Sequence, residues 1–232
     1  MAILPTLPLV RDGRAGVQDE GSQLVTWALD QRGRCTGLVA GPLRRARAAS
    51  PRCWQVWRVW TAADCWQRTW RRIRAMLVAA ALRAYAARRI GTDSCGRRRY
   101  PACVGALDSF ARVLADVPCT GLGALRRRPE SRWRRGPADV EQLHPLQLAL
   151  LASAIDSAAP GGIIGYVTCS PHRRETTDVL SETLAVRSDV EVIPAAQLLP
   201  EVPDAALGPY LQLWPHRHGT DAMFAAYLRK TG

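Results

Sequence analysis

Lysine is nearly missing from this chain of 232 residues. Lys230 is the single lysine among 32 basic side chains, which stand against 20 acids for a formal net charge of +12 and a pI near 10.2. An excess of this size favours a polyanionic partner, nucleic acid first, although arginine used almost to the exclusion of lysine also marks a GC-rich gene. The charge is unevenly spread: residues 32–112 hold eighteen arginines against Asp64, Asp93 and Asp108 alone, which leaves the rest of the chain mildly acidic. Other absences narrow the classes further. No apolar stretch is long enough to span a bilayer, so no membrane partner is expected. The start, Met1-Ala2-Ile3-Leu4-Pro5, lacks the charged leader and long apolar core of a secretion signal, so the 7 cysteines are not expected to form a disulfide framework and the expected setting is a reducing cytoplasm. No internal repeat is present, and nothing in the sequence bears on oligomeric state.

What the chain does have is two short cysteine motifs, Asp116-Val117-Pro118-Cys119-Thr120-Gly121 and Thr168-Cys169-Ser170-Pro171. Each comes after an apolar run, 112–115 and 163–167, that reads as a buried strand, and the segment between them has helical character. Two strands joined by a crossover helix lie parallel in one sheet, so both cysteines are expected at its carboxyl edge, where open α/β sheets bind ligands. Paired thiols on rigid strand ends suit covalent catalysis on an electrophilic ring. Taken singly, each cysteine reads as a small buried hydrophobe and Asp116 as a turn cap; their shared placement favours chemistry.

The remaining elements fit an α/β domain. Residues 22–29 form an amphipathic helix with Leu24, Val25 and Ala28 inward. Asp139 caps a helix towards Ser157 that His144-Pro145 is expected to break or kink, and Pro160-Gly161-Gly162 turns the chain into the strand before Cys169. Next come a helix over 174–186 and a strand over 190–193, and an antiparallel pair over 210–214 and 223–228 closes around the 216–221 loop. His216 and His218 read as structural or RNA-facing.

The two motifs and their flanks resemble the RNA cytosine-5 methyltransferases, and within them the bacterial small-subunit ribosomal RNA enzymes of the Sun/Fmu type. The resemblance continues through Gly121-Leu122-Gly123, Arg126-Arg127-Arg128-Pro129-Glu130 and Arg132-Trp133. It extends to Gln212-Leu213-Trp214-Pro215-His216 and His218-Gly219-Thr220-Asp221, and upstream to Gly16-Val17-Gln18-Asp19-Glu20-Gly21-Ser22-Gln23. It covers roughly residues 10–31 and 111–232. It implies a Rossmann-like, S-adenosylmethionine-dependent methyltransferase sheet that forms 5-methylcytosine in RNA, with small-subunit ribosomal RNA as the expected partner. In that family the cysteine of Thr-Cys attacks C6 of cytosine and the cysteine of Pro-Cys promotes release. Carried over, Cys169 is the nucleophile and Cys119 the eliminating group, while Asp116 holds the amidine edge of the base and bears on the cofactor side as well. Thr168 and Ser170 are expected to orient the nucleophile. Arg126, Arg127, Arg128 and Arg132 become candidate phosphate contacts. The target base must leave its stack, so the substrate is expected to be a loop or an otherwise accessible segment. Members of this type carry an N-terminal helical RNA-binding domain, expected here to be absent because the chain starts just before Gly16.

Residues 32–110 read differently. Trp54, Trp57, Trp60, Trp66 and Trp70 with Cys35, Cys53, Cys65, Cys95 and Cys103 crowd a segment otherwise made of Arg and Ala. The resemblance calls here for a strand ending in a glycine-rich turn and for acids that hold ribose and adenine, and none is recognisable, so the cofactor-binding half of the sheet is poorly specified and S-adenosylmethionine binding is expected to be weak. One reading is a frame displaced by one base, which turns Leu and Val codons of a GC-rich gene into Cys and Trp codons. Codons for Arg34 to Leu38 can be chosen so that the next frame spells Gly-Val-Leu-Asp-Leu, and Ala40-Gly41-Pro42 then looks like an in-frame remnant of the loop. The other reading is a genuine basic, aromatic insertion that binds RNA by phosphate contact and stacking. A zinc site is disfavoured, since no cysteine pair has the close spacing that structural zinc prefers, and no metal is expected. Three functions therefore stand side by side: the methyltransferase, with 1–31 leading into it, 32–110 aberrant and 111–232 its legible half; an inactive remnant; and a basic RNA-binding protein of the same ancestry.

Overall fold

The computed structural model describes residues 19–30, 37–40, 65–69, 90–94 and 110–232. The sheet is built outward from its two most apolar segments. Strand β4 (Phe110–Asp116) and strand β5 (Ala158–Thr168) pair in parallel, with Arg112 opposite Ile163 and Asp116 opposite Val167. Helix α3 (Pro137–Ser157) makes the crossover between them. Both strands are buried on both faces, which is why their sequences read as apolar runs without polar alternation. Val113, Ala115, Ile164 and Tyr166 face one core, and Leu114, Ile163 and Val167 face the other.

Each core has its own helices. On the first face α3 and helix α4 (Thr177–Val186) contribute Leu150, Leu151, Ala154, Ile155, Val179 and Leu180. On the second, helix α1 (Glu20–Asp30) contributes Val25, Ala28 and Leu29. Asp19 caps α1 by accepting the Gly21 N–H at 3.0 Å. At the other end the buried Arg112 donates from Nε to the Leu29 carbonyl at 3.1 Å, which satisfies one of the acceptors that a helix terminus leaves open.

Beyond β5, strand β9 (Phe224–Lys230) runs antiparallel to it. The start of β9 also pairs with β8 (Tyr210–Gln212), which pairs with β7 (Ala206–Leu207), and its later part pairs with β6 (Val190–Ile193). The expected closing pair is therefore present. Its loop holds the short helix α5 (Pro215–His218), where the His218 ring accepts the Trp214 N–H and contacts the Pro203 carbonyl, a structural role.

The other edge comes from the middle segment. Strands β1 (Gly37–Ala40), β2 (Cys65–Thr69) and β3 (Ile90–Ser94) extend the sheet in parallel from β4, giving the order β3-β2-β1-β4-β5-β9-β8-β7. This is a Rossmann-like order that reverses between β1 and β4, the place where such sheets open a ligand crevice. The half read as poorly specified thus supplies three strands. Ala40 ends β1 opposite Ala115, while Gly41 and Pro42 lie outside the described residues, as do Cys35, Cys53, Cys95 and Cys103.

Two local expectations are corrected. Helix α3 runs unbroken through Pro145; that proline forgoes one backbone bond, while the neighbouring His144, buried, holds the Arg174 carbonyl at 2.6 Å and Glu182 at 3.0 Å and so anchors this part of the helix. The Pro160-Gly161-Gly162 turn lies inside β5 as an irregularity of its pairing with β4, with Gly161 at φ 75. Among the described residues, no helix is long and apolar enough to cross a membrane.

Candidate active site

The carboxyl ends of β4 and β5 each turn sharply and present a cysteine. The Cys119 and Cys169 sulfurs lie 3.4 Å apart, so one thiol donates to the other sulfur. Cys119 is buried and Cys169 partly accessible. The loops that carry them are stitched together by backbone: Val117 N–H donates to the Val167 carbonyl at 3.1 Å, and Gly123 N–H to the Cys169 carbonyl at 2.9 Å. The Gly123 carbonyl in turn accepts from Ala222 N–H at 2.9 Å. A Cβ at Gly123 would fall 2.1 Å from the Ala222 carbonyl oxygen, so only glycine admits this approach.

Beneath the cysteines lies a carboxylate that no sequence motif singled out. Glu175, fully buried, accepts from Thr120 N–H at 2.8 Å, Thr120 Oγ1 at 2.6 Å, Ser170 Oγ at 2.6 Å and Gln147 Nε2 at 3.3 Å. Gln147 also donates to the Pro118 carbonyl at 2.8 Å, and Tyr166 donates its hydroxyl to the Glu175 carbonyl at 2.8 Å. Thr168 and Ser170 act on the backbone around Cys169: Thr168 Oγ1 accepts from Ser170 N–H and donates to the Ser170 carbonyl, each at 3.1 Å.

The electrostatics of the two thiols diverge. The hydrogen bond from Cys119 holds the Cys169 thiol below the ordinary range, with Arg128 adding to the effect. The same bond, with burial and the Glu175 charge, pushes Cys119 well above it. Asp116, at the end of β4, is raised to about 7 by burial. It is still partly accessible and has no hydrogen-bond partner among the described residues to offset that cost. A carboxyl poised near neutrality beside an acidified thiol suits proton transfer at neutral pH.

The arginines divide into two groups. Arg127 makes a bidentate pair with the fully buried Asp221, Nε donating to its carboxylate at 2.8 and 3.0 Å, and Arg126 reaches Asp19 at 3.2 Å. Since Asp221 N–H also donates to Asp19 at 3.2 Å, these groups clasp the loop after Cys119 to α1 and to the segment before β9. Arg128 is half-buried near Cys169 and Arg132 is exposed on the short helix α2 (Ser131–Arg134), next to Trp133 at 84% exposure. Of the residues the sequence singled out, Cys119, Cys169 and Asp116 converge at the strand ends. Among the described residues, no group of three or more His, Cys, Asp or Glu could hold a metal ion.

The strand order makes a Rossmann-like α/β fold with two thiols at its carboxyl edge, and the comparisons place it more closely. The model of the family described as 16S rRNA methyltransferase RsmB/F matches residues 69–229. A Mycobacterium tuberculosis protein named as a methyltransferase without a stated substrate is 44% identical over 228 residues, 95% of this chain and 47% of its own length. The Vibrio cholerae ribosomal RNA small subunit methyltransferase B is 29% identical over 97% of this chain and 48% of its own. The chain belongs to the 16S rRNA methyltransferase RsmB/F family, and it spans about half the length of these relatives. The fold agrees: the crystal structure of PH0851 covers 97% of the chain and is itself covered over 49%, with a TM-score of 0.83 at 24% identity. NSun6 from Pyrococcus horikoshii, solved with SFG, covers all of it at a TM-score of 0.80 and 18% identity, over 57% of its own length.

Proposed function

We propose that this chain is the catalytic domain of an S-adenosylmethionine-dependent methyltransferase that forms 5-methylcytosine in RNA, small-subunit ribosomal RNA by the names of its relatives. The observation that carries the reading is the 3.4 Å approach of two differently acidified cysteine sulfurs at the ends of adjacent parallel strands. Cytosine C5 is too weak a nucleophile to take a methyl group directly. Addition of the Cys169 thiolate to C6 forms an S–C6 bond and pushes the ring electrons towards C5, making it enamine-like. Asp116 in its protonated form donates to the amidine edge as this charge develops, which a carboxyl of ordinary acidity would do poorly at neutral pH.

After transfer the C5 proton must leave and the S–C6 bond must break, its electrons returning to Cys169. Cys119, in contact with that sulfur, accepts the C5 proton once its own proton has passed to solvent, and the C5–H electrons restore the C5–C6 double bond as the S–C6 bond breaks. The residues fit the cofactor at the level of the sheet: Ala40 and Asp116 flank the crevice between β1 and β4, and Asp116 offers it a carboxyl with no hydrogen-bond partner among the described residues. When bound there, S-adenosylmethionine supplies the electrophilic methyl group. Exposed Arg132 and Trp133 offer phosphate pairing and base stacking beside the site, and the need for two reduced thiols suits the cytoplasm.

The test is incubation with small-subunit ribosomal RNA and S-adenosylmethionine, followed by nucleoside mass spectrometry. 5-Methylcytosine that disappears in Cys169→Ala is expected. A methyl group on another atom, or full activity in that variant, removes the reading. Parallel sequencing of the gene across codons 32–110 decides between a displaced frame and a genuine divergent segment.

A further inference from the structure

A buried carboxylate is costly unless donors satisfy it, and the donors that satisfy Glu175 are not scattered. They come from Thr120, the residue directly after Cys119, and from Ser170, the residue directly after Cys169, with Gln147 bridging to the carbonyl of Pro118, the residue before Cys119. One side chain thus grips both cysteine loops at equivalent positions. We propose that Glu175 is a positioning residue that clamps the two loops in register and thereby decides which of the two sulfurs keeps the shared proton and which is the nucleophile. The proposal rests on the reading of Cys169 as the attacking group and adds a residue that acts through it.

The turn that carries Glu175 is already held by backbone contacts. Its carbonyl accepts from Tyr166, its N–H donates to the His172 carbonyl at 2.9 Å, and the adjacent Arg174 carbonyl is held by His144. The side chain is therefore not needed to anchor its own segment and is spent on the loops. Its charge is also placed asymmetrically, opposing ionisation of Cys119, while Cys169 lies within reach of Arg128. The other charged or titratable groups that face the pair are Asp116, Asp221, Arg127 and Tyr166. None of these bonds to both loops through residues adjoining the cysteines. With the proton held on Cys119, its thiol donates to Cys169, and the more accessible sulfur is the thiolate.

Alkylation by iodoacetamide tests this in the full chain without RNA or cofactor, with peptide mass spectrometry resolving the two cysteines across pH. In the parent, Cys169 reacts first and titrates at lower pH than Cys119. In Glu175→Gln, the pH midpoint of Cys119 labelling is expected to fall towards that of Cys169, and the Cys169-to-Cys119 labelling ratio at pH 7 to drop about tenfold, one unit of relative acidity. Simple loosening would raise Cys119 labelling at every pH without moving its midpoint, so an unmoved midpoint overturns the proposal. Should Glu175→Gln fail to fold, Thr120→Val and Ser170→Ala each remove one donor and must lower the ratio, while Thr120→Ser, which keeps both Thr120 donors, must hold the parent value. Parent-like ratios in both donor-deleted variants overturn it as well. Because the readout needs no methyl transfer, a shifted midpoint in a chain that forms no 5-methylcytosine upholds the clamp and removes only the methyltransferase reading.

Discussion

The ends of β4 and β5 are built to one plan and give their thiols different acidity. Each strand is apolar, each turns into a loop at the same edge of the sheet, and each presents a cysteine succeeded by a hydroxyl residue that bonds Glu175. The two loops differ in where the chain goes beyond the cysteine. After Cys169 it passes exposed His172 and Arg173 and enters the turn that carries the buried Glu175 and then α4. After Cys119 it enters the basic loop, clasped through Arg127 to Asp221 and ending in exposed Arg132 and Trp133. The hydrogen bond between the sulfurs separates them, with burial and the Glu175 charge adding on the Cys119 side: the enclosed thiol is the weaker acid and the accessible one the stronger. Identical side chains in adjacent loops thus differ in acidity.

Exchanging the two cysteines singly gives the largest effect. Cys169→Ala is expected to lower methyl transfer by about 10⁴-fold or more, as loss of a covalent nucleophile does, and to abolish capture of RNA on denaturing gels. Cys119→Ala is expected to keep capture and accumulate the protein–RNA adduct, since addition proceeds while elimination is slowed. An adduct in Cys169→Ala and none in Cys119→Ala would reverse the assignment.

How much of this was legible varies across the sheet for a physical reason. β4 and β5 are central strands buried on two faces, so their residues are nearly all apolar and announce themselves. The cysteines could then be placed at one edge by topology alone. Strand β2, Cys65-Trp66-Gln67-Arg68-Thr69, has no such run; it is a strand because β1 and β3 pair with it, and tertiary context overrides a weak local signal. Glu175 was hidden for another reason: in Arg173-Arg174-Glu175-Thr176 it looks like part of a solvated charge cluster, and only the fold turns it inward. Asp19, Arg127 and Asp221 each lay in a block that carried the family resemblance, but the contact that joins them spans 94 and 202 positions along the chain, and no periodicity reports such a pairing.

Asp116 sharpens the comparison from the β4 side. Asp116→Asn is expected to cost about 10²-fold or more in kcat/KM and to remove the alkaline limb of the pH profile. That limb should lie near 7 in the parent, because activity needs the protonated carboxyl and falls as it ionises. Stability should move the other way. A carboxyl raised from 3.8 to about 7 favours the fold fully below its unfolded value, and that contribution is lost as pH rises through about 7. Thermal unfolding of Asp116→Asn should therefore show a gain of about 1–2 kcal/mol at pH 8 and little change at pH 4, less than the whole shift implies because the group is partly exposed. A parent-like alkaline limb in the variant would exclude Asp116 as its source.

The clasp after Cys119 is a matter of stability. Asp221→Ala leaves Arg127 without its buried partner and is expected to destabilise the chain by about 2–3 kcal/mol in denaturant titration, below the cost of breaking a fully buried pair because Arg127 is 36% exposed. If the clasp also sets the loop for catalysis, the Asp221→Asn variant should raise KM for RNA more than it lowers kcat. Equal loss in both would confine the clasp to folding.

The smallest effect probes the outer surface that only the Cys119 side carries. Trp133 is 84% exposed, an unusual position for an indole unless something stacks on it, and Arg132 and Arg134 beside it make no ion pair among the described residues. Stacking of one accessible base is worth about 1–3 kcal/mol, so Trp133→Ala should weaken RNA binding by about tenfold without altering thermal stability or the slope of affinity against salt. Arg132→Ala should do the reverse: a smaller loss of affinity with a salt slope flatter by about one counterion. The two substitutions therefore separate stacking from phosphate pairing on the same short helix. Neither should change the labelling ratio of the two cysteines, because neither residue touches the clamp. If Trp133→Ala instead lowers the melting temperature and leaves RNA affinity intact, the indole packs in the folded chain and the RNA surface lies elsewhere.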